Sequence, residues 1–382
     1  MNKKPKIIFF SPPLQLYSQS DEITFRKFLR IIQALSGHVL IISGNLPKDI
    51  VDNNQIIGSN VKYDIRGRHF LIKALMYCWT QLKMASSLFK AKSQNAAAVF
   101  FFKSDSWIVP LLAAKICRMK SVLFNWGPVD YARLQKFGRF KRTAFFISRI
   151  VNAMNFYLVD KFVTESPAIL SDKQSRRYRE KMFIINFFVD KERFFHKEIH
   201  NQRLNKFVCL GRFIHEKNLF NLIEAFPGVA GPFPQYELLI AGSGPLEKEL
   251  KAKIAATQPS GKIELRGWVD YNQLPELLNQ VKFLILPSIT EGLPNVVIEA
   301  MACGVVVLAT SVGGVPDVIK DAETGFLLKG SSPEDIKNGI LRVLSFAPDK
   351  LEAISQKASA FIRENYSYEA ALDRAKKVLE SL

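Results

Sequence analysis

The chain has 382 residues, of which 48% are hydrophobic and 23% are charged, and this balance excludes an intrinsically disordered protein. That length predicts two domains of ordinary size, each able to bury its own core. The formal net charge of +18 predicts an anionic partner.

The cysteines and the apolar runs indicate the compartment. The four cysteines include no CxxC pair, so neither a disulfide framework nor a zinc site is predicted. The run Ile7–Phe10 is too brief for a signal-peptide core, and Ile108–Cys117 is far shorter than a membrane span. We therefore expect a cytoplasmic chain that does not cross a membrane.

The positive charge lies in one half of the chain. Residues 1–195 contain 32 basic and 13 acidic side chains, whereas residues 196–382 contain 21 and 22. Only the first half is therefore expected to meet an anionic partner. Lipid headgroups, nucleic acid and an acidic substrate are the open alternatives.

The first half alternates strands and helices, which is typical of a parallel sheet covered on both faces. Apolar runs predict strands at 7–10, 38–43, 96–102, 121–125, 162–164 and 183–188. Helical spacing predicts helices at 23–35, 69–92, 108–119, 133–156 and 167–181.

Apolar periodicity is lost near 190–206, where a domain boundary is predicted, and a second alternating series follows. Its predicted strands lie at 207–211, 236–242, 262–267, 283–286, 305–308 and 324–328. Its predicted helices lie at 217–226, 245–256, 271–279, 333–346, 349–364 and 367–380, with one more between Asn295 and Gly304. The fold class is therefore α/β, with two open domains that bind ligands at the carboxyl ends of their strands.

The stretch 282–310 contains a strand, a glycine-containing loop, a helix that Asn295 can cap, and a further strand. The loop and the helix start offer unpaired N–H groups and a partial positive charge, which suit phosphate. Glu291 and Glu299 beside them are better suited to accept hydrogen bonds from sugar or ribose hydroxyls. The alternative is an ordinary βαβ unit with one capping and one solvated glutamate.

Two cations and several glycine turns follow other strands of the second half. Arg212 offers a fork for phosphate oxygens, and Lys217 offers a point charge at the predicted start of a helix. Solvated surface bases are the alternative interpretation. The turns at 242–245 and 313–316 are weak signals singly, and together they indicate one diphosphate site.

These segments together resemble a known family. Arg212 with Lys217, GSGP at 242–245, and above all PSITEGLPNVVIEAMACG at 287–304 resemble the donor domain of retaining glycosyltransferases. The family is the large one of GT-B fold, family 4 of the carbohydrate-active enzymes. The resemblance covers about 207–330 and implies two doubly wound Rossmann-like domains facing across a cleft. It implies an acceptor domain, 1–195 with the returning helix 366–382, and a nucleotide-sugar domain, 196–365.

The resemblance also implies roles for single residues. Arg212 and Lys217 would hold the donor diphosphate and Glu291 would contact the donor sugar, and these three are the candidate catalytic residues. Glu299 would bind the ribose hydroxyls. The remaining candidate donor-binding residues are Gly211, Gly242, Gly244, Arg266, Gly267, Gly292, Leu293, Pro294 and Asn295.

The implied reaction moves a hexose from a UDP- or GDP-sugar to an acceptor hydroxyl with retention of configuration. No Asp-x-Asp motif is present, so neither a metal nor another cofactor is expected. Acceptor-side candidates are Asp105, Trp126, where relatives carry histidine, and Asp130.

The basic half predicts a lipid-linked or cell-surface glycan acceptor and a peripheral position on the inner face of the plasma membrane. The segment 136–149 interleaves cations with phenylalanines, which suits anionic headgroups. Its candidate membrane-facing residues are Lys136, Arg139, Lys141 and Arg142. The alternative is a helix that covers the sheet and has a solvated basic face.

Two other functions fit parts of the sequence. A nucleotide-sugar epimerase or hydrolase would use the same architecture. A basic nucleic-acid-binding protein would fit the charge, but it predicts basic and aromatic residues on an exposed strand face, and the strands here are apolar. No nucleic-acid partner is expected.

Overall fold

The computed structural model describes residues 5–14, 19–57, 60–64, 69–103, 107–125, 141–166, 178–197, 199–257 and 262–382. The chain divides into two compact units, Met1–Phe187 with Ala371–Leu382 and Phe188–Ala370. Each unit is built on a parallel sheet of its own. The predicted α/β class with two Rossmann-like domains is therefore confirmed.

The first unit has a seven-stranded sheet in the order β3-β2-β1-β4-β5-β6-β7, with all neighbours parallel. Its strands are β1 Lys6–Phe10, β2 His38–Ile42, β3 Gln55–Ile56, β4 Ala98–Phe102, β5 Lys120–Asn125, β6 Lys161–Thr164 and β7 Met182–Ile184. Its helices are Gln19–Leu35, Lys48–Asn53, Phe70–Lys92, Ile108–Ile116, Lys141–Leu158, the short 3-10 helix Arg179–Lys181 and the last part of Tyr368–Glu380. The predicted helix 167–181 falls largely outside the described residues.

Phenylalanine rings fill one side of the first sheet. Phe9 of β1 lies 5.0 Å from Phe25 and 5.8 Å from Phe102, measured between ring centroids. Phe28 stacks on Phe102 at 5.1 Å and meets Phe124 edge-on at 4.9 Å. These offset and edge-to-face contacts are the favourable arrangements for aromatic pairs, and they explain why the predicted strands are so rich in phenylalanine.

The second unit has a six-stranded parallel sheet in the order β10-β9-β8-β11-β12-β13. Its strands are β8 Leu204–Leu210, β9 Glu237–Ala241, β10 Ile263–Arg266, β11 Val281–Leu286, β12 Val306–Thr310 and β13 Phe326–Leu328. Its helices are Leu219–Ala225, Pro227–Ala230, Glu247–Ala255, Leu274–Gln280, Asn295–Ala302, Val315–Val318, Pro333–Leu344, Pro348–Asn365 and the start of Tyr368–Glu380, with 3-10 turns at His200–Gln202 and His215–Lys217. Two hydrophobic clusters pack on this unit's strands and helices.

The division between the units lies between Phe187 and Phe188, whereas the sequence prediction places it after residue 195. The segment that follows Phe188 has irregular backbone, which explains its lack of periodicity. It is nevertheless packed into the second unit, because Phe194 is buried and Arg203 donates to the Cys303 carbonyl at 2.7 Å.

His200 is a titratable group buried inside the second unit. Its ring packs edge-on against Phe283, and neither ring nitrogen has a hydrogen-bond partner among the described residues. Burial, followed by the charges of Arg203 and Lys282, lowers its pKa to about 3. The folded state therefore holds this imidazole neutral over a wide pH range.

We expect His200 to make stability depend on pH. Because the unfolded chain binds a proton at a pKa of about 6.5, stability is complete above that pH and falls as pH drops from there towards 3. The slope from this group is about 1.4 kcal/mol per pH unit. Urea unfolding of His200→Leu at several pH values checks this. A variant with the same slope as the unsubstituted chain would contradict it.

Candidate functional site

Loops at the carboxyl edge of the second sheet are bound to one another. Gly211 follows β8, and its N–H donates to the Ala241 carbonyl at 3.1 Å. Gly242 follows β9, and its N–H donates to the carbonyls of Arg266 and Gly267, both at 3.2 Å. The strand ends that carry the predicted glycines Gly211, Gly242 and Gly267 are therefore neighbours in space.

Two of these glycines are required by the close approach of backbones. A Cβ on Gly242 would lie 1.8 Å from the Gly211 carbonyl oxygen. A Cβ on Gly244 would lie 2.5 Å from the Phe213 carbonyl oxygen. Gly267 differs, because a Cβ there would meet nothing within 4 Å. Loop packing thus explains the first two glycines, whereas Gly267 is an exposed position.

The structure joins two of the three predicted catalytic residues. Lys217 Nζ lies 2.6 Å from Glu291 Oε1, and the two side chains are only 15% and 12% exposed. The two residues come from loops that follow the adjacent strands β8 and β11. The pair places a cation and a carboxylate together at the sheet edge.

The sequence predicts Lys217 at the start of an α-helix, but the structure does not place it there. It ends the 3-10 turn His215–Lys217, and the α-helix begins at Leu219. Asn218 separates the two with a left-handed backbone, φ 56°, and its amide nitrogen donates to the carbonyls of Pro287 and Ser331. This side chain fixes the turn to β11, which orients Lys217 towards Glu291.

A glycine turn supports the loop that carries Glu291. Gly314 N donates to the Gly292 carbonyl at 2.7 Å. Gly313 has a left-handed φ of 55°, and a Cβ there would lie 2.1 Å from the Glu291 carbonyl oxygen. The turn at 313–316, predicted to contact phosphate, therefore holds the Glu291 loop in place. Within that loop Leu293 is buried.

Asn295 is the first residue of its helix rather than its cap. Pro294 occupies the N-cap position and gives no side-chain cap bond. Asn295 Oδ1 is buried without a hydrogen-bond partner among the described residues, as is the Ser288 hydroxyl. The prediction of an Asn295 cap is wrong, because the N-cap position lies one residue earlier, at Pro294.

Glu299 lies buried in the same helix and accepts a hydrogen bond from the Tyr271 hydroxyl at 3.0 Å. Burial, then the charge of Glu299, raises the pKa of Tyr271 well above its ordinary value. Tyr271 in turn contacts Phe194 at 5.4 Å and the Arg193 guanidinium at 5.1 Å. Tyr271 carries no local signal for this role in the sequence, because its proximity to Glu299 arises from folding.

The two predicted arginines lie on the surface of this edge. Arg212 is exposed, and no ion pair holds it within the part of the chain that the structure describes. Arg266 is also exposed, and its guanidinium donates to Glu264 at 2.9 Å. A pocket beside Arg266 is lined by Trp268, which is 48% exposed and was not singled out in the sequence.

The candidates of the first unit lie mostly outside the described residues. These are Asp105, Trp126, Asp130, Lys136 and Arg139, and the side chain of Lys141. Arg142 lies in the helix Lys141–Leu158 and is exposed. Their acceptor-side and membrane-facing roles stay predictions.

The second unit matches a known family in sequence. Residues 190–379 match the model described as glycosyl transferases group 1. A mannosyltransferase of Corynebacterium glutamicum, named as GDP-mannose-dependent and acting on a monoacylated phosphatidylinositol monomannoside, is 30% identical over 180 residues, 45% of this chain and 46% of that protein. The WcaL protein of Salmonella typhimurium, a putative colanic acid biosynthesis glycosyltransferase, is 24% identical over 53% of this chain and 52% of its own. The chain thus spans about half the length of these curated relatives.

Solved structures share the fold over the whole chain. HepE of Anabaena, in complex with UDP and glucose, has a TM-score of 0.75 at 15% identity and covers 99% of this chain and 100% of its own. The apo form of the lipopolysaccharide outer core galactosyltransferase WaaB has a TM-score of 0.71 at 15% identity, with 98% and 99% covered. The fold is therefore that of GT-B glycosyltransferases. Residues 190–379 are thus similar in sequence to the group 1 glycosyltransferases, the class of enzyme that the sequence predicts.

Proposed function

We propose that this chain is a retaining glycosyltransferase that moves a hexose from a nucleoside diphosphate sugar to an acceptor hydroxyl. The observation that carries the proposal is the ion pair between Lys217 and Glu291 at the carboxyl edge of the second sheet. Lys217 supplies positive charge for the diphosphate, and Glu291 an acceptor for sugar hydroxyls. A donor that spans both groups has its leaving group and its sugar oriented by one rigid pair.

The chemistry requires charge stabilisation on the leaving group. As the bond between the anomeric carbon and the phosphate oxygen breaks, negative charge develops on the nucleoside diphosphate and positive charge on the sugar. Lys217 and the exposed Arg212 would stabilise the departing diphosphate electrostatically. Two such cations supply the positive charge that a divalent ion supplies to the leaving group in metal-dependent sites. We therefore propose transfer without a metal or other cofactor.

Glu299 is proposed to bind the ribose hydroxyls of the donor. A buried carboxylate suits this role because its oxygens accept hydrogen bonds and cannot move freely. Tyr271 holds Oε1 of Glu299 in place. Tyr271 is thus proposed as a positioning residue for donor binding.

We expect Tyr271→Phe to raise KM for the donor about tenfold and to leave kcat nearly unchanged, since a hydrogen bond to a charged group is lost outside the reacting atoms. Steady-state kinetics with varied donor measures both constants. Tyr236→Phe is the matched control, because Tyr236 packs against Phe207 in the core of the same unit. A fall in kcat at constant KM would contradict the positioning role.

The relatives suggest the substrate classes. One relative is named as GDP-mannose-dependent, and HepE was solved with UDP-glucose, so both guanosine and uridine donors are candidates. The relatives' names include a phosphatidylinositol mannoside, colanic acid and lipopolysaccharide. We therefore propose a lipid-linked or cell-surface glycan acceptor and a peripheral position at the cytoplasmic membrane face. None of the helices in the described ranges has the length and hydropathy of a membrane span.

The alternatives predict different products. An epimerase or hydrolase would act on the nucleotide sugar without an acceptor, whereas a transferase requires one. A nucleic-acid-binding protein would not require the Lys217–Glu291 pair. The comparisons with transferases favour neither alternative.

A thermal-shift screen with UDP- and GDP-sugars, followed by a transfer assay, tests the proposal. One nucleotide sugar should raise the melting temperature, because a ligand bound only to the native state stabilises it. Transfer to a lipid-linked glycan should persist with a chelator present, and NMR of the product should show the anomeric configuration of the donor. Turnover of the donor without any acceptor would overturn the assignment.

A further inference from the structure

Three neighbouring helices of the first unit cover one side of its sheet. They are Phe70–Lys92, Ile108–Ile116 and Lys141–Leu158, and the middle one packs against both others. All three contribute buried residues to one hydrophobic cluster with the strands, including Leu88, Leu111 and Phe156. The opposite side of each helix therefore faces away from the sheet, in the same direction for all three. We call this outward surface the three-helix face.

The first helix exposes an apolar stripe on this face. Leu75, Trp79 and Leu82 are 70%, 57% and 60% exposed, and Ile72 and Phe89 extend the row. Their spacing of three, four and seven residues places them on one side of the helix. Isolated exposed apolar residues are common on protein surfaces, but a row along a helix marks an interaction surface.

The other two helices continue the apolar surface. Ile116 is 68% exposed on the middle helix, and Phe146, Ile150 and Tyr157 are 66%, 46% and 74% exposed on the third. The last three are spaced by four and seven residues, which again defines one side of a helix. Apolar side chains thus extend across three packed helices.

The charge of these helices has a single sign. They contain no aspartate or glutamate, and eight lysines and arginines. Lys83 Nζ lies 4.8 Å from the centre of the Trp79 ring, which places a cation next to the apolar stripe. The basic residues are Lys73, Lys83, Lys90, Lys92, Lys115, Lys141, Arg142 and Arg149.

We propose that the three-helix face lies on an anionic lipid surface, with its apolar side chains among the acyl chains and its cations at the headgroups. Amphipathic helices bind membranes in this way, and tryptophan and lysine favour the interface between the two regions. Charge complementarity selects this occupant over a second copy of the chain. A second copy would bring a face of the same sign against this one, and like charges repel.

This inference rests on the peripheral membrane position proposed above and names its surface, which includes 141–149 of the predicted contact at 136–149 and adds the apolar stripe of Phe70–Lys92. It also stands independently of the transfer reaction, since it rests on exposure and charge in the first unit alone. Loss of membrane binding and loss of transfer to a water-soluble acceptor are therefore separable results.

Cosedimentation of the full chain with phosphatidylcholine vesicles, with and without phosphatidylglycerol, tests the proposal. The chain should bind the anionic vesicles and not the neutral ones. The triple variant Leu75→Ser, Trp79→Ser, Leu82→Ser should bind them about tenfold or more weakly, because the inserted apolar area is lost. Ile199→Ser and Leu204→Ser are matched controls, because these exposed apolar residues of the second unit are 51% and 56% exposed.

The outcomes distinguish the contacts of the cations with headgroups from the insertion of the apolar side chains. Binding at about 0.1 M salt that weakens at about 1 M supports the headgroup contacts. Equal binding to neutral vesicles, or unchanged binding of the triple variant, would overturn the proposal. A dimer in sedimentation velocity that the triple variant abolishes, with no vesicle binding, would instead assign the face to a second copy. Circular dichroism checks that every variant is folded.

Discussion

Lys217→Ala is expected to lower kcat/KM for nucleotide-sugar transfer by about 100- to 1,000-fold, the range found when one preorganised electrostatic contact to a reacting group is removed. The cation is held 2.6 Å from Glu291 and is only 15% exposed, so solvent cannot replace it easily. The substitution also leaves a largely buried carboxylate without its cation. Steady-state kinetics with the donor identified by thermal shift measures the effect.

Lys253→Ala is the matched control for this substitution. Lys253 also pairs with a glutamate, Glu224 at 2.9 Å, but on the surface of the same unit, so kcat/KM should stay unchanged. The double variant Lys217→Ala, Glu291→Gln should lose kcat/KM by a factor much smaller than the product of the two single-variant factors. The reason is that the two residues act as a unit. Activity of Lys217→Ala within about threefold of the unsubstituted enzyme would remove Lys217 from the proposed site.

Gly242→Ala is expected to destabilise the second unit by about 3 kcal/mol, since an added methyl group must displace well-packed backbone. Its Cβ would lie 1.8 Å from the Gly211 carbonyl oxygen, and backbone atoms cannot move aside as the end of a flexible side chain can. Separating the two loops would also disturb the turn that carries Lys217. Urea unfolding followed by circular dichroism measures the loss of stability.

Gly267→Ala provides the matched control, because its Cβ would meet no atom within 4 Å. It should change stability by less than about 0.5 kcal/mol. If the resemblance assigns this position correctly, Gly267→Ala changes donor KM rather than stability. Equal stability losses in the two variants would refute the packing argument for Gly242.

Local patterns in the sequence were sufficient to predict the strands of both sheets except the two-residue β3, Gln55–Ile56. Parallel strands are buried on both faces and therefore form short apolar runs, such as Phe283–Leu286 within β11. The glycine turns after β8 and β9 were also recognisable, because the residues that meet the backbone requirements of a turn are adjacent in the sequence. The short helices Lys48–Asn53 and Val315–Val318 were not predicted, because one or two turns carry too little periodicity.

Helix starts near the candidate site were less predictable. The predicted helix 217–226 is divided by the left-handed backbone of Asn218, whose side chain bonds to Pro287 and Ser331. These partners are far away in the sequence, so no local pattern indicates them. Tertiary contacts also determine that Lys217, rather than lying freely at a helix start, pairs with Glu291.

The sequence by itself determined that this chain forms two α/β domains with phosphate-suited loops in the second, because burial and turn chemistry leave local patterns. Only the tertiary structure decided that Lys217 meets Glu291, that Tyr271 holds Glu299, and that three helices share one apolar, basic face. Each of these contacts or surfaces joins segments that folding brings together, and their spacing along the chain has no fixed relation to their distance in space.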